Sequence, residues 1–339
     1  MLRTVLSIIF AAFLTSAASC QSEDVLRGKV AVLSFPDTAW WDQWMLFQEA
    51  LVSDPTIDME WYMRGELGSE QMLLNSLRRN RVQIVSVSSQ GLATIVPEIG
   101  LLMTPYLFES FEEADFVFDN YLSSLVVQWL EEKGMVPISW AETGWVIMYT
   151  KDTVVRRPED LKGMTLRIVP NVYGAAFMEA VGGDYAPLDL SELVPSLQTG
   201  LINGGLTNVV FAHNAISDII NHVTLTNHSY ENGATLANKT WFETATVKQQ
   251  ETLIAASGPL EKNRRDVRAY VESITKSGSQ VGLTYHHLSL EERALWITAS
   301  EGALEKILAA SGPRAQEFLN RIMDGKRDYK KNQISSVPQ

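Results

Sequence analysis

The chain has 339 residues, 46% of them hydrophobic and 20% charged, with a formal net charge of −12 and a single cysteine. That acidity argues against nucleic acid or an anionic membrane surface as the main partner, and one cysteine excludes an internal disulfide. It leaves room for a small anionic ligand, because one local arginine can dominate a closed cleft.

Met1 to Arg3 is a positive start, Val5 to Leu14 is apolar but too short to span a bilayer, and the small residues Ser16 to Ser19 precede Cys20. This is close to a bacterial lipoprotein cleavage site, with Ala17 standing where leucine is more usual. The expectation is a lipoprotein signal peptide over 1–19, lipidation at Cys20 and a tether over 20–27; the alternative is an ordinary secretory signal that contains a cysteine. About 320 residues then remain, enough for two lobes with a core each.

From there strands and helices alternate as in an α/β protein. Lys29 to Phe35 reads as a strand, Pro36-Asp37-Thr38 as a loop, Ala39 to Val52 as a helix and Ile57 to Tyr62 as the next strand. Gly65 to Gly68 turns into a helix from Glu70 to Arg79, and Val82 to Val87 is a third strand. Leu101 to Phe108 is apolar and leads into a helix beginning near Ser110. Residues 158–171 then read Pro-Glu-Asp-Leu-Lys-Gly-Met-Thr-Leu-Arg-Ile-Val-Pro-Asn. Pro158 suits a first helical turn and Gly163 a left-handed cap, so Met164 to Val169 is a short buried strand. Arg167 lies inside it between Leu166 and Ile168. A charge there is costly unless an anion meets it, and the planar guanidinium fork suits a carboxylate; the alternative is a structural ion pair. Val247 to Ser277 and Ser289 to Gly325 carry apolar residues at helical spacing.

The 158–171 segment resembles the "p-DLkG-kiRv-p" hallmark of the extracytoplasmic solute receptors of TRAP transporters, the DctP-type family. Further matches follow in the family's order. Gly65-Glu66-Leu67-Gly68-Ser69-Glu70 through Gln83-Ile84 is similar to its "G-LG-e-e-l-r-G-vqm", and Thr104 to Ala114 to its "lPflf-s-eea". Leu197 to Gly204 is similar to the start of "LQtGvvDGqEN", and Asn238-Lys239-Thr240-Trp241 to "nk-w". The resemblance covers residues 29 to 300 or so and implies a two-lobed, periplasmic-binding-protein-like α/β fold with a cleft between lobes and long C-terminal helices. Lobe I would be 28–146 plus about 235–276, lobe II 147–234 plus about 277–325, and 326–339 a C-terminal tail. It further implies a periplasmic receptor, not an enzyme and without a cofactor. Such a receptor captures a small carboxylate ligand and delivers it to TRAP membrane permease subunits, here lipid-anchored to the membrane through Cys20.

In the family the hallmark arginine clamps the ligand's carboxylate, which places Arg167 in that role. Phe35 in the first loop and Ser88 after the third strand fall where a cleft would be lined, although Ser88 is equally placed to cap the following helix. The family's second arginine, in a "G-fR" pattern, is missing: the stretch reads Gly144-Trp145-Val146. Its ligand-binding asparagine falls at Thr207 without a gap, or at Asn208 with one inserted residue. Trp145 and Trp40 offer aromatic walls instead, against the alternative that they are core. These departures favour a monocarboxylate with an apolar or aromatic body over a dicarboxylate or sugar acid. The rival function is an envelope lipoprotein that shuttles an apolar, lipid-like ligand with partner lipoproteins. No nucleophile elbow or phosphate-binding glycine loop is present. His286-His287 with Glu291 and Glu292 reads as a loop before a helix capped by Ser289, rather than as a metal site.

Overall fold

Two long antiparallel strands carry the architecture. The computed structural model describes residues 25–335, so the expected signal peptide and Cys20 lie outside the described residues. Within them one sheet contains β1 (Leu26–Ala31), β2 (Ile57–Tyr62), β3 (Ile84–Ser88), β4 (Met135–Thr150), β5 (Thr165–Ile168), β6 (Asp184–Pro187), β7 (Gly204–Asn208), β8 (His222–Asn238) and β9 (Thr284–His287). The order is β2-β1-β3-β8-β4-β7-β5-β6, with β9 also on β8. The helices are α1 (Ala39–Val52), α2 (Glu70–Arg78), α3 (Ser89–Ala93), α4 (Phe111–Val117), α5 (Ser123–Glu132), α6 (Val172–Ala180), α7 (Leu190–Thr199), α8 (Val209–Ala215), α9 (Lys239–Phe242), α10 (Val247–Ala256), α11 (Leu260–Ser277), α12 (Leu290–Ser300), α13 (Ala303–Ala310) and α14 (Ala315–Ser335).

β4 and β8, of 16 and 17 residues, pair along their length. β3 joins β8 only over Gly233–Ala237, whereas β7 joins β4 only over Val146–Thr150. Each end therefore carries its own parallel strands and helices, which makes the fold two-lobed. Between the ends the β4–β8 register slips at Glu142/Gly144 and again at Val146/Met148, with Gly144 at φ 92°. Bulges bend a strand pair and re-aim its side chains.

Local chemistry explains the helices. Thr38 accepts the Trp41 N–H at 3.1 Å and starts α1, whose buried Trp44, Phe47 and Leu51 recur at helical spacing. Helical character over 247–277 is interrupted, because Gly258 takes φ 67° and Pro259 precedes α11. The segment read as a tail from 326 corrects to the last turns of α14. Tyr121 donates to Asp328 at 2.6 Å, and Lys326 pairs with the buried Glu113 at 3.0 Å. Lys330 meets Glu109 at 3.0 Å.

Gly204 marks the closest approach in the sheet. A Cβ there would lie 2.1 Å from the Tyr149 carbonyl oxygen and 2.9 Å from the Thr150 Cα, both backbone atoms that cannot swing aside. Gly204→Ala should lower stability by about 3 kcal/mol, read as a lower urea midpoint at unchanged slope. A midpoint equal to that of the parent would mean that β7 does not sit this close to β4.

Candidate functional site

β5 and β7 end at the gap between the lobes, and alternation along them sorts the neighbouring side chains onto two faces. Tyr149, Gly205 and Arg167 are cross-strand neighbours on one face. Thr207, two residues on from Gly205, belongs to that face. Val146, Leu206 and Ile168 point to the other, where they line a cavity of about 40 Å³ with Gln90, Met103, Asn171, Phe177, His228, Ser229 and Glu231.

Arg167 is 6% exposed, and its Nε donates to the Leu188 carbonyl at 2.9 Å. No carboxylate among the described residues comes within ion-pair distance of it. Desolvation is the main influence on the guanidinium and pushes its pKa down, against the pull of Tyr149 and Asp189. Tyr149 is buried, its hydroxyl has no hydrogen-bond partner among the described residues, and it lies over Gly205, where a Cβ would be 2.3 Å from that oxygen. The face thus presents a buried cation and a spare O–H side by side.

On the opposite face a relay of amides runs between the lobes. Asn171 caps α6, its Oδ1 accepting from Tyr173 at 3.0 Å and Gly174 at 3.1 Å. That leaves Asn171 Nδ2 to donate to Gln90 Oε1 at 2.6 Å. Gln90 Nε2 then donates to Glu231 Oε1 at 2.7 Å. Each amide orientation is dictated by the one before it, from the helix cap to the carboxylate. Glu231 is 5% exposed, and burial, with Glu70 nearby, raises its pKa to about 7 against the Gln90 bond. His228 stacks on Phe177 with centroids 4.0 Å apart, and burial lowers its pKa to about 3. Both groups feel a dry environment.

The remaining sequence candidates fall in several places. Ser88 donates to Glu70 at 2.7 Å and accepts from the Gly91 N–H at 3.3 Å, so its oxygen caps α3. Asn208 Oδ1 accepts from Phe211 at 2.8 Å and caps α8, which leaves Thr207 as the one of the pair on the Arg167 face. Trp145 packs on Phe111 and Tyr230 at 5.3 and 5.4 Å, because strand alternation turns Val146, not Trp145, to the cavity. Trp40 donates to the Glu142 carbonyl at 2.8 Å and lines a second cavity of about 60 Å³ within lobe I. Phe35 is 37% exposed in its loop. Trp241, buried, donates to the Arg27 carbonyl. Ser289 and Glu292 form the expected reciprocal cap. Among the described residues no group of three or more His, Cys, Asp or Glu side chains could hold a metal ion.

Sequence reasoning missed Glu231, Asn171 and Tyr149. Asn171 could have been found as the last residue of the hallmark segment, directly before an apolar helix. Glu231 is the acidic residue within an otherwise uncharged run from Val223 to Asn238.

The arrangement offers donors, an acceptor and a buried cation at a gap between lobes, which is binding chemistry. In sequence, the chain is 23% identical over 313 residues to a solute-binding protein of Chromohalobacter salexigens, covering 86% of this chain and 84% of that one. It is 25% identical over 252 residues to the C4-dicarboxylate-binding periplasmic protein DctP of Rhodobacter capsulatus, covering 71% and 73%. In structure, it matches the sugar acid binding protein DctPAm of Advenella mimigardefordensis, in complex with galactonate, at a TM-score of 0.83 and 22% identity, over 90% of this chain and 99% of that one. The sequence profile of the bacterial extracellular solute-binding proteins, family 7 (DctP), matches residues 45–311, and the chain belongs to that family.

Proposed function

We propose that the chain is the extracytoplasmic receptor of a TRAP-type transporter, capturing a small organic acid between its lobes and delivering it to the membrane permease. The observation that carries this reading is Arg167, buried near the end of β5 with no carboxylate of the described residues within ion-pair distance. A buried cation is tolerable when a ligand supplies the anion, and two parallel N–H···O bonds to a carboxylate are the guanidinium's best match. Tyr149 and Thr207 stand on the same face as further donors. The relatives support it, one being a C4-dicarboxylate-binding protein and one a sugar acid binding protein.

Closure follows by hinge motion of lobes divided near 146 and 235, on the two long strands β4 and β8 that run through both. Contacts across the gap, such as Asn171 to Gln90 and the Tyr270 hydroxyl between the Asp37 carbonyl and Asn214 Oδ1, hold the closed form. Lipidation of Cys20 would leave a tether to the membrane shorter than the 20–27 expected, because Leu26 and Arg27 of β1 already pair with Ile57 and Asp58 of β2.

Native mass spectrometry of the full chain in detergent, beside Arg167→Ala, tests the reading. A co-purified small acid present in the parent and absent from the variant is the expected result. An apolar ligand kept by both proteins would sink the carboxylate mechanism in favour of lipid shuttling.

A further inference from the structure

The cavity of about 60 Å³ beside Trp40 is lined by lobe I alone, so it is separate from the cleft that the lobes form between them. Its floor follows from strand register. Ser86 of β3 pairs with Thr235 of β8, and Thr235 pairs with Ser139 of β4, so three hydroxyl side chains stand in a row across one face of the sheet. Among the described residues no side-chain bond within the protein occupies these hydroxyls. Trp40, Trp44 and Phe47 of α1 form an apolar wall above them. The amide beside that wall has a fixed orientation. The Glu142 N–H donates to Asn263 Oδ1 at 3.3 Å, which leaves Asn263 Nδ2 to donate to Gln43 Oε1 at 2.6 Å. Gln43 Nε2 is therefore a donor, and it is buried without a partner among the described residues, as is the Ser257 hydroxyl. Both residues line the cavity, and buried polar groups of this kind cost free energy until something bonds to them. No lining residue is charged, so an ion would enter without a counter-charge.

We propose that this cavity is a second binding site, for a small neutral molecule with two or more hydroxyl groups, a diol or short polyol, bound independently of the acid. Neighbouring strands stand about 4.8 Å apart, so an oxygen seated between two hydroxyls of the row can accept from one and donate to the other. The row has two such seats, with Thr235 common to both. Gln43 Nε2 supplies a further donor to a ligand oxygen, and the α1 rings cover the ligand's C–H surface. A hydrocarbon would leave these donors unmet. Size points to the same class: at about 10–15 Å³ per water, about 60 Å³ holds a molecule of about four to six non-hydrogen atoms.

The test is calorimetric titration of the full chain in detergent with glycerol, ethylene glycol, glycolate and ethanolamine. The same series is run on Thr235→Val, Gln43→Leu and Arg167→Ala. The parent should take up glycerol saturably at one site, and glycolate and ethanolamine about tenfold or more weakly. Thr235→Val keeps the shape of the side chain but removes the hydroxyl common to both seats, so it should weaken glycerol about tenfold. Gln43→Leu, at a half-buried position on α1, should weaken it about fivefold and serves as the deciding variant if Thr235→Val does not fold. Arg167→Ala should leave glycerol binding unchanged. No saturable uptake of glycerol or ethylene glycol below about 100 mM would overturn the inference and leave the cavity to water. Glycolate binding as tightly as glycerol would overturn it too, as would parental affinity in Gln43→Leu together with any folded Thr235→Val.

Discussion

Replacing Arg268 with methionine should destabilise the protein by about 3–5 kcal/mol at neutral pH, the usual result of removing one partner from a buried ion pair. Arg268 on α11 reaches Asp115 at 2.8 Å through both terminal nitrogens and Glu142 at 2.9 Å, and it lies over the Phe111 ring. Glu142 is 1% exposed, on β4 beside the bulge, and accepts from Tyr230 at 2.8 Å as well. Burial raises the pKa of Glu142, and Arg268 and then Tyr230 oppose that rise. Methionine keeps much of the arginine's apolar stem but leaves a carboxylate enclosed without its cation.

The pH dependence of the variant has a definite sign. A carboxyl whose pKa is higher in the folded than in the unfolded protein binds its proton more tightly when folded. Its favourable contribution is complete below the unfolded value and disappears as pH rises through the folded one. Arg268→Met should therefore approach the parent in mildly acidic urea titrations and fall furthest behind it at alkaline pH. Adding Glu142→Gln should return most of the lost stability, since no charge is then left buried. A loss below about 1 kcal/mol that does not vary with pH would mean that Glu142 is already protonated in the parent, and that Arg268 answers only to Asp115.

How much of this was legible in the chain depends on whether the signal is local. α1 was readable to the residue because Thr38 is a capping residue and Trp44, Phe47 and Leu51 follow at helical spacing. The second strand, Ile57 to Tyr62, and the short strand around Arg167 were readable because turn residues bracket them. β8 was not. Its polar run of His228, Ser229, Glu231 and Asn232 breaks the apolar signature of a buried strand, yet all four are buried: Ser229, Glu231 and Asn232 bond to Met103, Gln90 and Ser89 from distant segments, and His228 to Thr226 of its own strand. Ser89, for one, donates to the Asn232 carbonyl at 2.6 Å. The Thr207–Asn208 ambiguity had the same origin: a one-residue slip reverses the face, and only pairing with β4 sets the register. Arg167 stood out in the sequence as a charge between apolar neighbours, whereas Glu231 gains its meaning from Gln90 and Asn171, 141 and 60 residues away in the chain.

Arg167 should show opposite effects on binding and on stability. Binding of the acid should fall about 100-fold or more in Arg167→Met, because the ligand's carboxylate loses its charged partner inside a dry site. The ligand-free protein, by contrast, should become more stable by about 1–2 kcal/mol. A buried guanidinium without a carboxylate is a standing cost, and an unbranched apolar side chain of similar length removes it. Against that gain stands the loss of the bond to the Leu188 carbonyl, worth about 1 kcal/mol. Functional sites keep such unfavourable groups because the ligand, not the fold, neutralises them. The measurement is thermal unfolding of parent and variant after refolding from denaturant has removed any bound ligand. A melting temperature that drops by several degrees in Arg167→Met would show that the arginine serves the fold, and the carboxylate clamp would have to be sought elsewhere in the cleft.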